Sequence, residues 1–113
     1  MSETNPFGGR ITHLTPAEVK AGMEDGRILL VDVREPDETR AERIPNAVLM
    51  PLSTFDPSAL PDAQGKQIVF SCRSGQRSQR AAALVQASGV PLEEHMQGGI
   101  LGWKQAGFPT EQG

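Results

Sequence analysis

Two segments of this chain are apolar at consecutive positions and stop at polar residues: Ile28-Leu29-Leu30-Val31 before Asp32, and Ile68-Val69-Phe70 before Ser71-Cys72. A surface helix repeats its apolar residues every 3.6 positions and a half-exposed strand every two. A short run with neither period is the pattern of a strand covered on both faces. Strands of that kind pair in parallel and need helices on either side, so these two runs restrict the fold more than any other feature.

The intervening segments supply the helices. Thr15-Pro16-Ala17-Glu18 combines a capping hydroxyl, a proline suited to the first helical position and a glutamate that completes a capping box, which predicts a helix from Pro16 to about Glu24. Asp25-Gly26 then turns the chain into a strand over residues 27–33. Arg34-Glu35-Pro36-Asp37-Glu38 breaks that run and starts a helical turn over Asp37 to Glu42, and Ile44-Pro45-Asn46 leads into a second strand, Ala47 to Met50. Pro51, Pro57, Pro61 and Gly65 make residues 51–66 a long connection with one or two short helical turns. A third strand covers Gln67 to Ser71. From about Ser78 to Ser88, Ala81, Leu84, Val85 and Ser88 share one helical face, and Gly89 ends the helix. A short strand near Glu94 to Gln97 and a last helix near Ile100 to Ala106 close the chain, with Gly107 and Pro109 preventing continuation. The alternation predicts an α/β fold, a sandwich with a mainly parallel sheet and helices on both faces. Its ligand crevice lies beyond the carboxyl ends of the strands, where Asp32 and Cys72 both fall.

A chain of 113 residues fits one domain, assigned to residues 11–110, after a flexible leader over residues 1–10 that contains Pro6, Gly8 and Gly9. The N-terminus has neither a basic start nor an apolar h-region, and the longest apolar run is far too short for a bilayer, so the expectation is a cytoplasmic protein without a membrane partner. One cysteine allows no disulfide within the chain and no internal resolving thiol. His13 and His95 stand apart from each other and from any cysteine motif, which argues against a metal site, and no cofactor is expected.

Cys72 follows a strand and opens the loop Cys72-Arg73-Ser74-Gly75-Gln76-Arg77, ahead of a helix beginning at Ser78. Backbone amides and the dipole at a helix start favour an anion, and the thiolate is the reactive form of cysteine. Between Ala63 and Leu92 stand Lys66, Arg73, Arg77 and Arg80 with no Asp or Glu, although the whole chain carries a net charge of −3. Positive charge gathered around one thiol attracts small anions. A nucleic-acid face needs a wider basic stripe with interleaved aromatics, so that partner class is excluded.

At this point the chain resembles the single-domain rhodaneses, a family of sulfurtransferases. The resemblance rests on Val31-Asp32-Val33-Arg34-Glu35, Ile44-Pro45-Asn46-Ala47, the loop Cys72-Arg73-Ser74-Gly75-Gln76-Arg77-Ser78, and Gly98-Gly99-Ile100-Leu101-Gly102-Trp103 with Gly107-Phe108-Pro109, in that order. One departure stands out: the family usually shows Gly-His before Ile-Pro-Gly-Ala, where this chain has Glu42-Arg43 and Asn46. The resemblance implies a rhodanese-like three-layer α/β/α sandwich and a thiosulfate sulfurtransferase in which Cys72 carries sulfur as a persulfide. It implies substrate binding by Arg73, Ser74, Gly75, Gln76, Arg77 and Ser78, with Asp32 and Arg34 bracing the loop from behind. The partners it implies are a small anionic sulfur donor such as thiosulfate and a thiol or cyanide acceptor, including a thioredoxin-like or sulfur-relay protein.

Other chemistries remain in view. Cysteine phosphatases place five residues between cysteine and arginine, whereas four separate Cys72 from Arg77, and Ser71 stands where their signature has histidine. A cradle one residue shorter suits a single sulfur atom better than a tetrahedral oxyanion, which disfavours a phosphatase or arsenate reductase. A domain that binds partners or relays sulfur without turnover is the other alternative, since fold does not determine function. Trp103 and Phe108 are expected in the core, Gly98-Gly99 at a tight turn, Glu35, Asp37, Glu38 and Glu42 on a solvated face, and Arg43 at the crevice mouth.

Overall fold

The computed structural model describes residues 2–113. Six strands form one sheet: β1 (Ser2–Thr4), β2 (Arg10–Leu14), β3 (Ile28–Asp32), β4 (Val48–Leu49), β5 (Gln67–Ser71) and β6 (Glu94–Met96). Their order across the sheet is β1-β2-β6-β5-β3-β4, with every neighbouring pair parallel except β1 with β2. Four α-helices, α1 (Pro16–Glu24), α2 (Pro36–Ala41), α3 (Arg77–Ala87) and α4 (Gly99–Gln105), punctuate the strands. The connection after β4 contains two 3-10 turns, Leu52–Thr54 and Pro57–Ala59.

The continuous apolar runs behave as strands buried on both faces. In β3 and β5, Leu29, Val31, Ile68 and Phe70 join the cluster containing Ala81, Ala82 and Val85 of α3. Their alternating neighbours Ile28, Leu30 and Val69 join the cluster containing Val19 of α1 and Ile100 and Trp103 of α4. The period-two alternation of a strand therefore divides one run between two cores. The Thr15 hydroxyl accepts the Glu18 amide while the Glu18 carboxylate accepts the Thr15 amide, so α1 begins at its capping box. Trp103 is buried and meets Phe108 edge to face, with ring centroids 5.1 Å apart.

The N-terminal segment differs from the expected leader. Ser2–Thr4 pair with Arg10–Thr12, and Asn5 is 2% exposed, donating from Nδ2 to the Gln79 carbonyl at 2.7 Å. Met1 lies outside the described residues. No helix among the described residues is long and apolar enough to cross a membrane.

Candidate active site

Cys72 lies immediately beyond the carboxyl end of β5, on the face of the sheet covered by α3, and is 1% exposed. The Gly75 amide donates to Cys72 Sγ at 3.0 Å, and Sγ lies 3.6 Å from Ser78 Oγ in the first turn of α3. The loop turns back over its own cysteine through Gly75, whose φ of +106° is open to glycine and strained for other residues.

The start of α4 clamps this loop from the other side. The amides of Ile100 and Leu101 donate to the carbonyls of Cys72 and Arg73 at 2.8 and 3.1 Å. Such proximity is possible because residue 99 is glycine: an added Cβ would collide with the Cys72 carbonyl oxygen and sit 2.6 Å from the Arg73 carbonyl carbon. The Gly-Gly pair expected at a tight turn therefore also lets one backbone approach the cysteine loop.

The loop residues divide by position. Arg73, Ser74 and Gln76 are exposed, Gly75 and Ser78 are buried, and Arg77 is half-buried. Arg77 forms a forked ion pair with Glu38 of α2, Nη1 to Oε1 at 2.6 Å and Nη2 to Oε2 at 2.9 Å. The guanidinium holds the Glu38 carboxyl at about 2, well below the usual carboxylate range, and Glu38 in turn raises the Arg77 value. The expected solvated acidic face of α2 needs correction on this point. Glu38 ties α2 to the cysteine loop, Glu35 accepts from Ser53, and Glu42 accepts from Lys104 and Thr110. These carboxylates oppose basic or hydroxyl groups that only tertiary folding brings near.

Asp32 and Arg34 pair with each other, 1% and 4% exposed. Arg34 Nε lies 3.1 Å from both Asp32 oxygens, and its Nη2 donates to Asp32 Oδ2 at 2.9 Å and to the Glu42 carbonyl at 2.8 Å. This buried fork ties the end of β3 to the end of α2, the helix that carries Glu38. Arg43 joins Glu111 through both backbone and side chain.

A cleft of about 370 Å³, lined by Glu35, Leu52, Ser53, Arg77, Arg80 and Leu84, opens beside α3. A larger cavity of about 440 Å³ has Met23, Ile28, Lys66 and Trp103 in its wall, around the amino ends of β3 and β5 and away from Cys72. No group of three or more metal-ligating side chains occurs among the described residues.

The two histidines are not apart, as the sequence distance suggested. Parallel pairing of β2 with β6 sets His13 opposite His95, and His13 Nδ1 lies 2.6 Å from His95 Nε2. His95 is 1% exposed, and its Nδ1 meets Ser78 Oγ at 2.8 Å. Burial, and then the neighbouring His13, push the His95 imidazole down to about 4, so it is neutral at neutral pH. Residues 10–14 form β2, between β1 and β6, with Ile11 as its one fully buried residue; recognising that strand was the one route to this pairing.

A family model described as a rhodanese-like domain matches residues 15–106. A Synechocystis protein designated Uncharacterized protein slr1261 is 42% identical over 97 residues, a match covering 86% of this chain and 54% of that protein, so this chain spans about half its length. A protein of Allochromatium vinosum named Sulfurtransferase is 34% identical over 89 residues, covering 79% of this chain and 81% of that protein. The crystal structure of a rhodanese-related protein from Thermoplasma volcanium superposes with a TM-score of 0.75 at 24% identity, covering 89% of this chain and 98% of that one, which is a likeness of fold.

Proposed function

The chain belongs to the rhodanese-like domain family, and on that premise we propose that it is a sulfurtransferase whose Cys72 carries a sulfane sulfur from a small anionic donor to a thiophilic acceptor. The observation that supports this most directly is the seat of Cys72 Sγ, 3.0 Å from the Gly75 amide and beside the first turn of α3. A fixed donor aimed at sulfur stabilises a thiolate before attack and a terminal persulfide after it, as preorganised donors do for oxyanions.

With thiosulfate as donor, the Cys72 thiolate attacks the outer sulfur. A new sulfur–sulfur bond forms to Cys72, the bond between the two thiosulfate sulfurs breaks, and its electron pair leaves with sulfite. A thiol or cyanide then takes the terminal sulfur and restores the thiolate. Cys72 is the single cysteine of this chain, so the acceptor thiol lies outside it; a thioredoxin-like or sulfur-relay protein is the acceptor this reading favours. Among the described residues Arg73 and Arg80 have no ion-pair partner and draw the dianion in, while Arg77 is shared with Glu38. Because Cys72 is 1% exposed, a donor reaches its sulfur only when the surroundings of the thiol open.

A phosphatase needs its loop arginine free to grip phosphate, and the forked pair with Glu38 disfavours that use of Arg77. The test is thiocyanate formation from thiosulfate and cyanide, run beside aryl-phosphate hydrolysis. Turnover by the wild type, none by Cys72→Ser and no phosphate release are expected. Absence of thiocyanate would remove the turnover reading, and transfer to one protein acceptor alone would replace it with a relay.

A further inference from the structure

A continuous line of hydrogen bonds connects Cys72 with the edge of the sheet. From Cys72 Sγ it passes to Ser78 Oγ at 3.6 Å, to His95 Nδ1 at 2.8 Å, from His95 Nε2 to His13 Nδ1 at 2.6 Å, and from His13 Nε2 to Glu3 Oε1 at 2.8 Å. Cys72, Ser78 and His95 are buried, His13 is 26% exposed at its side chain and Glu3 is 65% exposed. The line thus joins a thiol without solvent contact to a carboxylate in water, across α3, β6, β2 and β1.

The polarity of the line follows from its last member. A carboxylate accepts, so His13 donates from Nε2, and a neutral His13 must then accept at Nδ1. His95 donates to it from Nε2 and accepts at Nδ1 from Ser78, whose oxygen accepts the thiol proton. Every donor points away from sulfur, the arrangement in which a proton can leave by successive short transfers.

We propose that Ser78, His95, His13 and Glu3 form a proton path between the Cys72 thiol and the protein surface, with His95 and His13 as positioning residues that govern how readily the thiolate forms. The steps balance. The thiol proton moves to Ser78 Oγ, the Ser78 hydroxyl proton to His95 Nδ1, and the His95 Nε2 proton to His13 Nδ1. His13 becomes an imidazolium paired with the Glu3 carboxylate, and water takes the proton from there. Between Cys72 and His13 every donor now points toward sulfur, so the thiolate receives the Ser78 hydroxyl as well as the Gly75 amide, while the imidazolium keeps its Nε2–H on Glu3 until water takes a proton. His95 gains one proton as it loses the other and never becomes a buried cation, which fits its strongly lowered basicity.

Other charges face the two ends of the path. Near Cys72 these are Arg77 with its partner Glu38, Arg73 in the loop, and the Asp32–Arg34 fork at the end of β3. Beside His95 in sequence are Glu93, which accepts from Thr12, and Glu94, whose carboxyl is raised by burial and by Glu93. None of them changes in the variants that test the path.

The inference rests on Cys72 as the nucleophile, yet its test needs no sulfur transfer. Cys72 is the single cysteine, so iodoacetamide alkylation across the neutral pH range reports that thiol alone, and the midpoint of its pH profile, separate from the absolute rate that access to the buried sulfur sets, reports its thiolate. His13→Asn removes the group that takes the proton. Glu3→Gln, at an exposed position, keeps an oxygen for the His13 N–H but loses the charge that steadies the imidazolium. The path predicts that the midpoint of the alkylation profile rises by about one pH unit in His13→Asn, about a tenfold slower reaction below the midpoint, with a smaller rise in Glu3→Gln. In the wild type at neutral pH, nitrogen-15 spectra should show both rings protonated at Nε2. Wild-type midpoints in both variants, the result of a merely structural polar staple, would overturn the proposal, as would a neutral His95 protonated at Nδ1 beside an intact thiol. A shifted midpoint in a protein that takes no sulfur from thiosulfate would sustain the path and reject the donor.

Discussion

Gly99, beside the site, and Asn46, away from it, both hold left-handed backbone, for different reasons. Gly99, at φ +56°, gives the Cys72 and Arg73 carbonyls room to meet the start of α4. Gly99→Ala should cost more than about 2 kcal/mol, because left-handed strain adds to a backbone clash, and the cysteine loop should lose its order. Urea denaturation reads the first effect, faster alkylation of Cys72 the second. Asn46 has φ +69°, and asparagine is one of the few residues that tolerates this conformation. Asn46→Ala should destabilise by about 1 kcal/mol in the same urea experiment, with Asn46→Gly close to neutral. The sequence signalled both turns, through Gly98-Gly99 and Pro45-Asn46, but not the partner of Gly99, which is the backbone of a loop distant in sequence.

Helices α2 and α3 are coupled by the Glu38–Arg77 fork, and α2 is held to β3 by the fork of Arg34 with Asp32. A double-mutant cycle with Glu38→Gln and Arg77→Gln should give a coupling of about 1 kcal/mol, modest because side-chain exposures of 27% and 33% leave the pair partly screened. A coupling near zero would mean that α2 does not steady the loop. The elements themselves were readable where local chemistry was strong: the capping box starts α1, and apolar runs make β3 and β5. Strand β1 and strand β2 were not readable, because Arg10–Leu14 contains a single fully buried residue, Ile11, and its pairing is decided by β6 far along the chain. Glu35, Glu38 and Glu42 look solvated in sequence because they find their partners through tertiary structure, whereas Asp37 is exposed as expected.

Across the whole molecule, the two groups with the largest shifts, His95 and Glu38, dominate the dependence of stability on acid. His95 falls from an ordinary 6.5 to about 4 on folding, so the unfolded chain binds its proton first, and stability is lost as pH falls through that interval. Glu38 falls from 4.5 to about 2, so a second loss follows at lower pH. Urea midpoints across this range should decline in two stages, and Glu38→Gln should shrink the lower one, to which the lowered carboxyls of Glu18, Glu42 and Asp56 also contribute. Glu94, raised by burial, opposes the decline without changing its order. The parallel sheet and the position of Cys72 at a strand end were legible from the alternation of strands and helices. The line from Cys72 through His95 to Glu3 was not, because it exists only once β1, β2 and β6 lie side by side. All of this converges on the chemistry of one sulfur atom, and intact mass after incubation with thiosulfate tests it most directly. The wild type should gain one sulfur atom and lose it on addition of cyanide, and Cys72→Ser should gain none; an unchanged wild-type mass, or a gain that survives in Cys72→Ser, would contradict the assignment.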